Sequence, residues 1–474
     1  MNIDPLYYWI GLFFSISYLV AFYIKRKGFG SNHFLFISMI RTKKPIKYFE
    51  YFAHHKKILN LISDLGIVLG FGLIGFDYLY AKNYSKSKRI LCDILLFAFF
   101  YLAFSFIFFP LILSTPISAG FAEFFSLGFG IFGFAGFVIS GLIFQAIDIL
   151  IKTSQGVQAC PGIAPVIPGV QIPNVPVFIP VHAWISLLII LIIHEGMHGV
   201  LARKAKVKVK NTGLLLFGFL PIGAFVEPDD KSLLKAPKRE QLRIFSAGAT
   251  GNLMVFLLTL PIFLIIFALL VNPFVAPRFE ELSREGSEGL YIIGVEQFSD
   301  FCGNKFENSA FRILSEGDKI LEVNGKEIIT VADYYRALTP DSNNFLMKYL
   351  TSSGEIKENS FERNSLGRIG ISIEQKTKEG FEIPFNDFLL GAVYNFLVSF
   401  IWWFILLNLL VFLTNFLPME PFDGGKIARI IFPEYLSWTG LTLQQREALV
   451  SGFFFFSILV LFFLNALPLL ITFN

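Results

Sequence analysis

Long apolar runs recur along the chain, separated by short polar segments in which Lys and Arg cluster. Tyr7–Ile24, Leu59–Tyr80, Ile90–Leu113, Ile117–Ile151, Val181–Arg203, Ile244–Val271, Phe385–Leu413 and Leu449–Leu470 are each long enough to be read as membrane-crossing helices. The pattern predicts a polytopic α-helical membrane protein of about eight spans. Ile117–Ile151 is broken by glycines and reads as one kinked span, or a span plus a re-entrant piece. Gly213–Pro228 is apolar but short and punctuated by Gly and Pro, which suits a β-hairpin or a membrane-dipping loop.

One region follows a different period. Between residues 273 and 384 charge rises and alternating stretches appear at Gly289–Val295, Lys319–Val323 and Arg368–Ile373, which read as strands. Asn324-Gly325 is a hairpin-turn signal and Asp333–Leu338 a short helix. This is an inserted soluble mixed α/β domain. The expected organisation is an N-terminal membrane region of about four spans (1–155), a Pro-rich loop (156–180), a membrane core (181–272), the insert (273–384) and a second core segment (385–474).

Charge orients these spans. Only 16% of residues are charged, against about 25% in soluble domains. The formal net charge of +4 sits in loops, so it bears on topology and gives no reason to expect nucleic acid. Lys25–Lys57 carries nine Lys/Arg and Arg203–Arg243 carries ten, which places both on the cytoplasmic side. The insert then falls outside the cell membrane. Strict alternation puts Lys82, Lys86, Lys88 and Arg89 outside as well, against the same rule. The N-terminus lacks a basic leader and a small-residue cleavage site, and reads as a retained first span.

The chemistry begins in Val181–Arg203, where His194, Glu195 and His198 form H-E-x-x-H inside an apolar helix. Ionisable groups are costly there and imply function. Residues four apart share a helix face, so His194 and His198 can hold one metal ion, with Glu195 as the proton acceptor. Topology brings Asp423, at the end of Phe385–Leu413, to the same side and depth. Alone, PMEPFDGG is an ordinary turn; beside H-E-x-x-H, Asp423 completes a His-His-carboxylate zinc site. Gly424 and Gly425 would let the backbone turn there. Glu420, Glu227 and Asp229 are rival ligands. Asn252, in the small-residue stretch Ser246–Asn252, is packing glue or reaches the site. His182 lies ~18 Å along the helix from His194, too far to share the ion. Asp64 and Asp77 read as snorkelling or capping residues. Cys92, Cys160 and Cys302 follow no metal or disulfide-scaffold spacing, and nothing in the pattern pairs them.

At HEGMH (His194–His198), GLLLFGFLPIGAFVEPDD (Gly213–Asp230), AGATGN (Ala247–Asn252) and NFLPMEPFDGG (Asn415–Gly425) the chain resembles the site-2 protease family of intramembrane zinc metalloproteases. With PGIAPVIPG it is most similar to the archaeal branch. The resemblance implies Zn2+ on His194, His198 and Asp423, Glu195 as acid/base, and cleavage of a transmembrane helix in another membrane protein, usually to release a regulator. Asn415 matches a family asparagine near the substrate. The insert resembles a PDZ domain at SEGDKILEVNGKEI (Ser315–Ile328), which implies that LGRIGI, with Gly367 and Gly370, is a peptide-binding loop. A folded spacer that excludes bulky substrates is the competing reading of the insert. For the whole chain, the competing readings are a non-catalytic PDZ-bearing scaffold and another membrane zinc endopeptidase.

Overall fold

The computed structural model describes the chain except residues 1–4, 28–31, 35–36, 114–118, 173–174, 176, 219, 303, 339–342 and 472–474. The start of the expected run Ile117–Ile151 and part of the Pro-rich loop therefore lie outside the described residues.

The chain opens with helix α1 (Pro5–Lys27), strands β1 (Asn32–Phe34) and β2 (Ile37–Thr42), and a short helix α2 (Ile46–Phe52). Helices α3 (Lys56–Leu79), α4 (Lys86–Leu113), α5 (Ala119–Ser154) and α6 (Ala183–Lys204) follow. Strands β3 (Val209–Phe217) and β4 (Leu220–Pro228) form the hairpin that the sequence left open against a membrane-dipping loop. They join β1 and β2 in one antiparallel sheet of order β1-β2-β3-β4, so β4 is an edge. Helix α7 (Asp230–Lys235) leads to α8 (Lys238–Ile266), which continues through a wider-pitched stretch around Pro273 into α9 (Ala276–Gly286).

The insert is built from β5 (Ser287–Val295), β6 (Phe298–Phe301), β7 (Asn304–Glu307), β8 (Lys319–Val323), β9 (Lys326–Glu327), α10 (Val331–Ala337), β10 (Asn344–Leu350), β11 (Ile356–Glu362) and β12 (Ile371–Thr377). The main sheet is antiparallel, of order β11-β10-β8-β5-β12, closed over a core that includes Leu290, Ile320, Val323, Met347 and Phe361. Asn324 (φ 50) and Gly325 (φ 72) make the expected tight turn between β8 and β9. The third expected strand starts later than Arg368, because Gly370 (φ 83) holds the chain in a loop. Helices α11 (Phe385–Asn415), α12 (Asp423–Tyr435) and α13 (Leu443–Ala466) complete the membrane part.

Seven described helices are long and apolar enough to cross a membrane. Two of them do not run straight. Tyr80 donates a hydrogen bond to Asp64 at 3.1 Å, although sixteen residues of straight helix would part them by ~24 Å. Helix α3 folds back at Gly72 (φ 55, ψ −134). Helix α5 folds back at Gly133 (φ 56, ψ −142), which brings Gly128 against Ser140. Only glycine adopts such angles cheaply. The two bends meet, and a Cβ on Gly133 would lie 2.1 Å from the Leu69 carbonyl oxygen. Helix α4 links the two hairpins, so one opens at its start and the other at its end. Lys82, Lys86, Lys88 and Arg89 therefore lie on the same side as Lys56 and Lys57. The charge conflict came from counting α3 as a full span.

The reading of Asp64 and Asp77 as surface-seeking residues is corrected. Both are buried. Asp64 accepts from Arg243 Nε and Nη2 at 2.7 Å each and from Arg239 at 2.7 Å. Asp77 accepts from Arg89 Nε at 2.6 Å and from Tyr435 at 2.6 Å. Buried carboxylates need such partners to offset desolvation. The cysteines are corrected too: Cys160 of the Pro-rich loop and Cys302 of the insert form a disulfide across 142 residues of sequence, with Cα atoms 4.9 Å apart. The loop is held further by Asn304, which donates to the Gln158 carbonyl at 2.7 Å.

The crossing of the hairpins predicts a steep cost for Gly133→Ala, on the order of 2 kcal/mol or more from backbone strain. Gly452, with open space around it in α13, should tolerate Ala with no loss. Thermal unfolding in detergent compares the two, and equal midpoints would contradict the crossing.

Candidate metal centre

The centre is assembled from three helices. Helix α6 supplies His194 and His198, one turn apart on one face, and Glu195 beside them. Helix α12 begins at Asp423, directly after the loop 416–422. Helix α8 forms the floor. His194 Nε2 and His198 Nε2 stand 3.3 Å apart. Asp423 Oδ2 lies 3.2 Å from the first and 3.0 Å from the second. The other carboxylate oxygen accepts from Lys426 at 3.1 Å, and Oδ2 has no hydrogen-bonded donor.

The outer nitrogens fix what these atoms can do. His198 Nδ1 is 2.7 Å from the Ile244 carbonyl oxygen. A carbonyl only accepts, so Nδ1 carries the hydrogen and a neutral ring presents a lone pair at Nε2. Asn252 packs its carboxamide against His194 Nδ1, with Nδ2 at 3.0 Å and Oδ1 buried without a partner. A half turn of that amide exchanges its ends and lets Oδ1 accept from Nδ1–H. Both imidazoles then aim lone pairs at Asp423 Oδ2. Ligands at roughly 2.0–2.2 Å in a tetrahedron stand ~3.3 Å apart, which is the spacing observed. The donors therefore fit a small divalent cation such as zinc.

The floor has no room to spare. A Cβ on Gly248 of α8 would lie 2.4 Å from His194 Nε2 and 2.5 Å from His198 Nε2. Sequence reasoning saw this stretch only as small residues for close packing and missed Gly248. Gly424 and Gly425 also act differently from expectation. They are helical, and a Cβ on either would strike the backbone of Phe416, Leu417 or Met419. Their need is close approach, with no special turn angle.

Glu195 lies against the sheet. Its Oε2 accepts from the Val226 N–H of β4 at 2.9 Å, and its carboxylate shares a cluster within 4.8 Å with the two histidines.

Comparison with known proteins agrees with this arrangement. The profile of Peptidase family M50 matches residues 182–461. The chain belongs to this family, the site-2 protease family of membrane metallopeptidases. It is also similar to an uncharacterized protein of Methanocaldococcus jannaschii, 28% identical over 299 residues that cover 62% of this chain and 68% of the other.

Within this M50 chain the rival ligands are engaged elsewhere. Glu420 pairs with Arg429 at 3.3 Å. Glu227 accepts from Asn211 at 3.1 Å. Asp229 caps α7 through the Ser232 N–H, which with Lys210 holds its carboxyl below the usual range. Of the two readings of Asn252, the structure shows the one in which it reaches the site, with its carboxamide against His194 Nδ1. Asn415 ends α11 and donates to the Val411 carbonyl of its own helix at 2.9 Å. Gly367 and Gly370 lie in the insert, beside a groove. His182, at the far end of α6, contacts Ser399 at 3.1 Å.

Gly248→Ala should reduce metal affinity by two orders of magnitude or more, and Asn252→Ala by about 10–100-fold, the usual cost of losing an outer partner. Chelator competition on purified protein measures both. Affinity unchanged in Gly248→Ala would show that the ion does not sit between these nitrogens.

Proposed function

We propose that this chain is a zinc endopeptidase that cuts a peptide bond in or near the transmembrane helix of another membrane protein. The observation that carries the reading is the convergence of His194, His198 and Asp423 beside Glu195, in a buried site against the edge strand β4. When bound there, zinc would act as a Lewis acid and make an attacking water acidic near neutral pH. Glu195 takes the proton from that water and returns it to the leaving nitrogen. His198 is held in its tautomer by Ile244, and His194 by Asn252.

The sheet edge suggests how substrate binds. A transmembrane helix has its amides paired internally and must unwind before attack. Val226 of β4 turns its N–H away from β3, toward Glu195. Ala224, two residues earlier, turns its backbone polar groups the same way. An unwound segment laid along β4 regains hydrogen bonds there and passes Glu195.

We place the sheet and metal centre toward the cytoplasm, because the flanking loops are basic. The insert is then extracytoplasmic, where a Cys160–Cys302 disulfide is stable. Its groove, with a cavity of about 400 Å³ between α10 and β12, includes Tyr334, Arg363, Gly367, Arg368 and Gly370. Because β12 is an edge, the groove suits an added peptide strand whose carboxylate meets the loop and the two guanidiniums. This favours a PDZ-like binding role over a spacer.

Glu195→Gln should abolish cleavage of single-span substrates in vesicles while metal content stays unchanged; proteolysis at the wild-type rate would sink the assignment. Ala224→Pro, which removes one edge N–H, should lower kcat/KM at least about 10-fold, since truncating one buried hydrogen-bonded contact costs ~1–3 kcal/mol. For the insert, a labelled peptide with a free C-terminal carboxylate should bind more tightly than its amide in fluorescence anisotropy. Binding by neither returns the spacer reading.

A further inference from the structure

Helix α2 lies outside the matched region, yet it packs on the helix that carries the metal ligands. Phe49 is buried there because α6 has no side chain at Gly196 and Gly199. A Cβ on Gly199 would lie 2.4 Å from the Phe49 ring, and one on Gly196 4.0 Å away. An ion pair between Glu50 and Arg203 holds the two helices together.

Two apolar cavities meet at this ring. One, of about 280 Å³, is lined by Phe49, Ile192, Glu195, Gly213, Phe225 and Val226, among others. The other, of about 640 Å³, lies among Phe52, Ile58, Met197 and Val200. Both share Phe49, Ile192 and Gly196, so these three residues form their common border, with the Phe49 ring the largest group in it. The smaller cavity touches both the general base and the exposed edge of β4. Of its two wall hydroxyls, Thr212 Oγ1 donates to the Thr42 carbonyl at 3.0 Å and Thr42 Oγ1 accepts from the Lys44 N–H at 3.2 Å. Glu195 is its one charged lining residue.

We propose that the smaller cavity receives one apolar side chain of the substrate, next to the bond that is cut, and that Phe49 sets its depth. The proposal rests on the reading of a peptide strand docked along β4. Alternate side chains of such a strand point to one face, and continuity of the cavity with β4 and Glu195 puts one of them there. An acidic side chain would meet the Glu195 carboxylate with no cationic side chain in the lining to offset it. A Leu- or Val-sized group fits with its surface buried, and a larger ring is stopped by Phe49.

The test uses purified full-length protein and single-span substrates that differ at one residue flanking the cleaved bond (Ala, Val, Leu, Phe, Trp or Asp), with kcat/KM measured for each. Wild type should prefer Val or Leu at one position and discriminate against Asp by about 100-fold or more. Phe49→Ala joins the cavities and should shift the preference at that position toward Phe or Trp by about 10-fold. Phe49→Leu should shift it less. Ile192→Phe, at a half-exposed position, should shift it toward Ala, and it keeps the test decisive if Phe49→Ala does not fold. A preference ranking unchanged in the folded variants, or a uniform loss across all substrates, overturns the pocket. A wild type no more active than Glu195→Gln overturns the protease reading instead, and the pocket with it. A cavity filled by a lipid chain would appear as the unchanged ranking.

Discussion

Two imidazole lone pairs and a carboxylate oxygen, held within 3.3 Å of one another in a buried site, repel unless a metal ion or a proton lies between them. The surrounding structure works to keep them there. Helix α8 approaches α6 so closely that Gly248 can carry no side chain. The same helix gives His198 a carbonyl one turn before the close approach and His194 a carboxamide one turn after it. Helix α12 is pressed onto the loop before it through Gly424 and Gly425, which delivers Asp423 at its first turn.

The N-terminal hairpins extend this support. Asp64 grips Arg243, the residue immediately before Ile244, whose carbonyl fixes His198. Gly66 lies against Thr250 of α8, and Gly70 against Phe416, at the end of α11. Ile67 and Phe71 share a buried cluster with Leu253, Phe412, Ile427 and Ile431. A region outside the family match thus packs behind both halves of the metal centre. The chain also uses α2 from that region to shape the space beside Glu195.

The opposite face is organised by covalent and polar ties. The disulfide joins the Pro-rich loop to the insert, and the loop is bonded to α13 through Gly162 and the Asn465 carbonyl. The insert is continuous with α8 through one long helical run, and with α11 on its other side. Its position is therefore coupled to the two helices that flank His194 and His198 on α6.

Sequence alone determined the local features. H-E-x-x-H puts two histidines on one face because the helical period is fixed. Asp423 was legible because basic loops set the direction of each apolar run, and direction sets depth. The Asn324-Gly325 turn was legible because its backbone angles suit those two residues. Tertiary structure decided the rest. Gly72 and Gly133 permit a reversal without compelling one, and only their mutual packing selects it. Cys160 and Cys302 meet because the loop and insert are folded onto one another. Gly248, Asn252 and Phe49 acquire their roles from α8 and α2 lying against α6, and contact between distant segments has no period that a sequence can display.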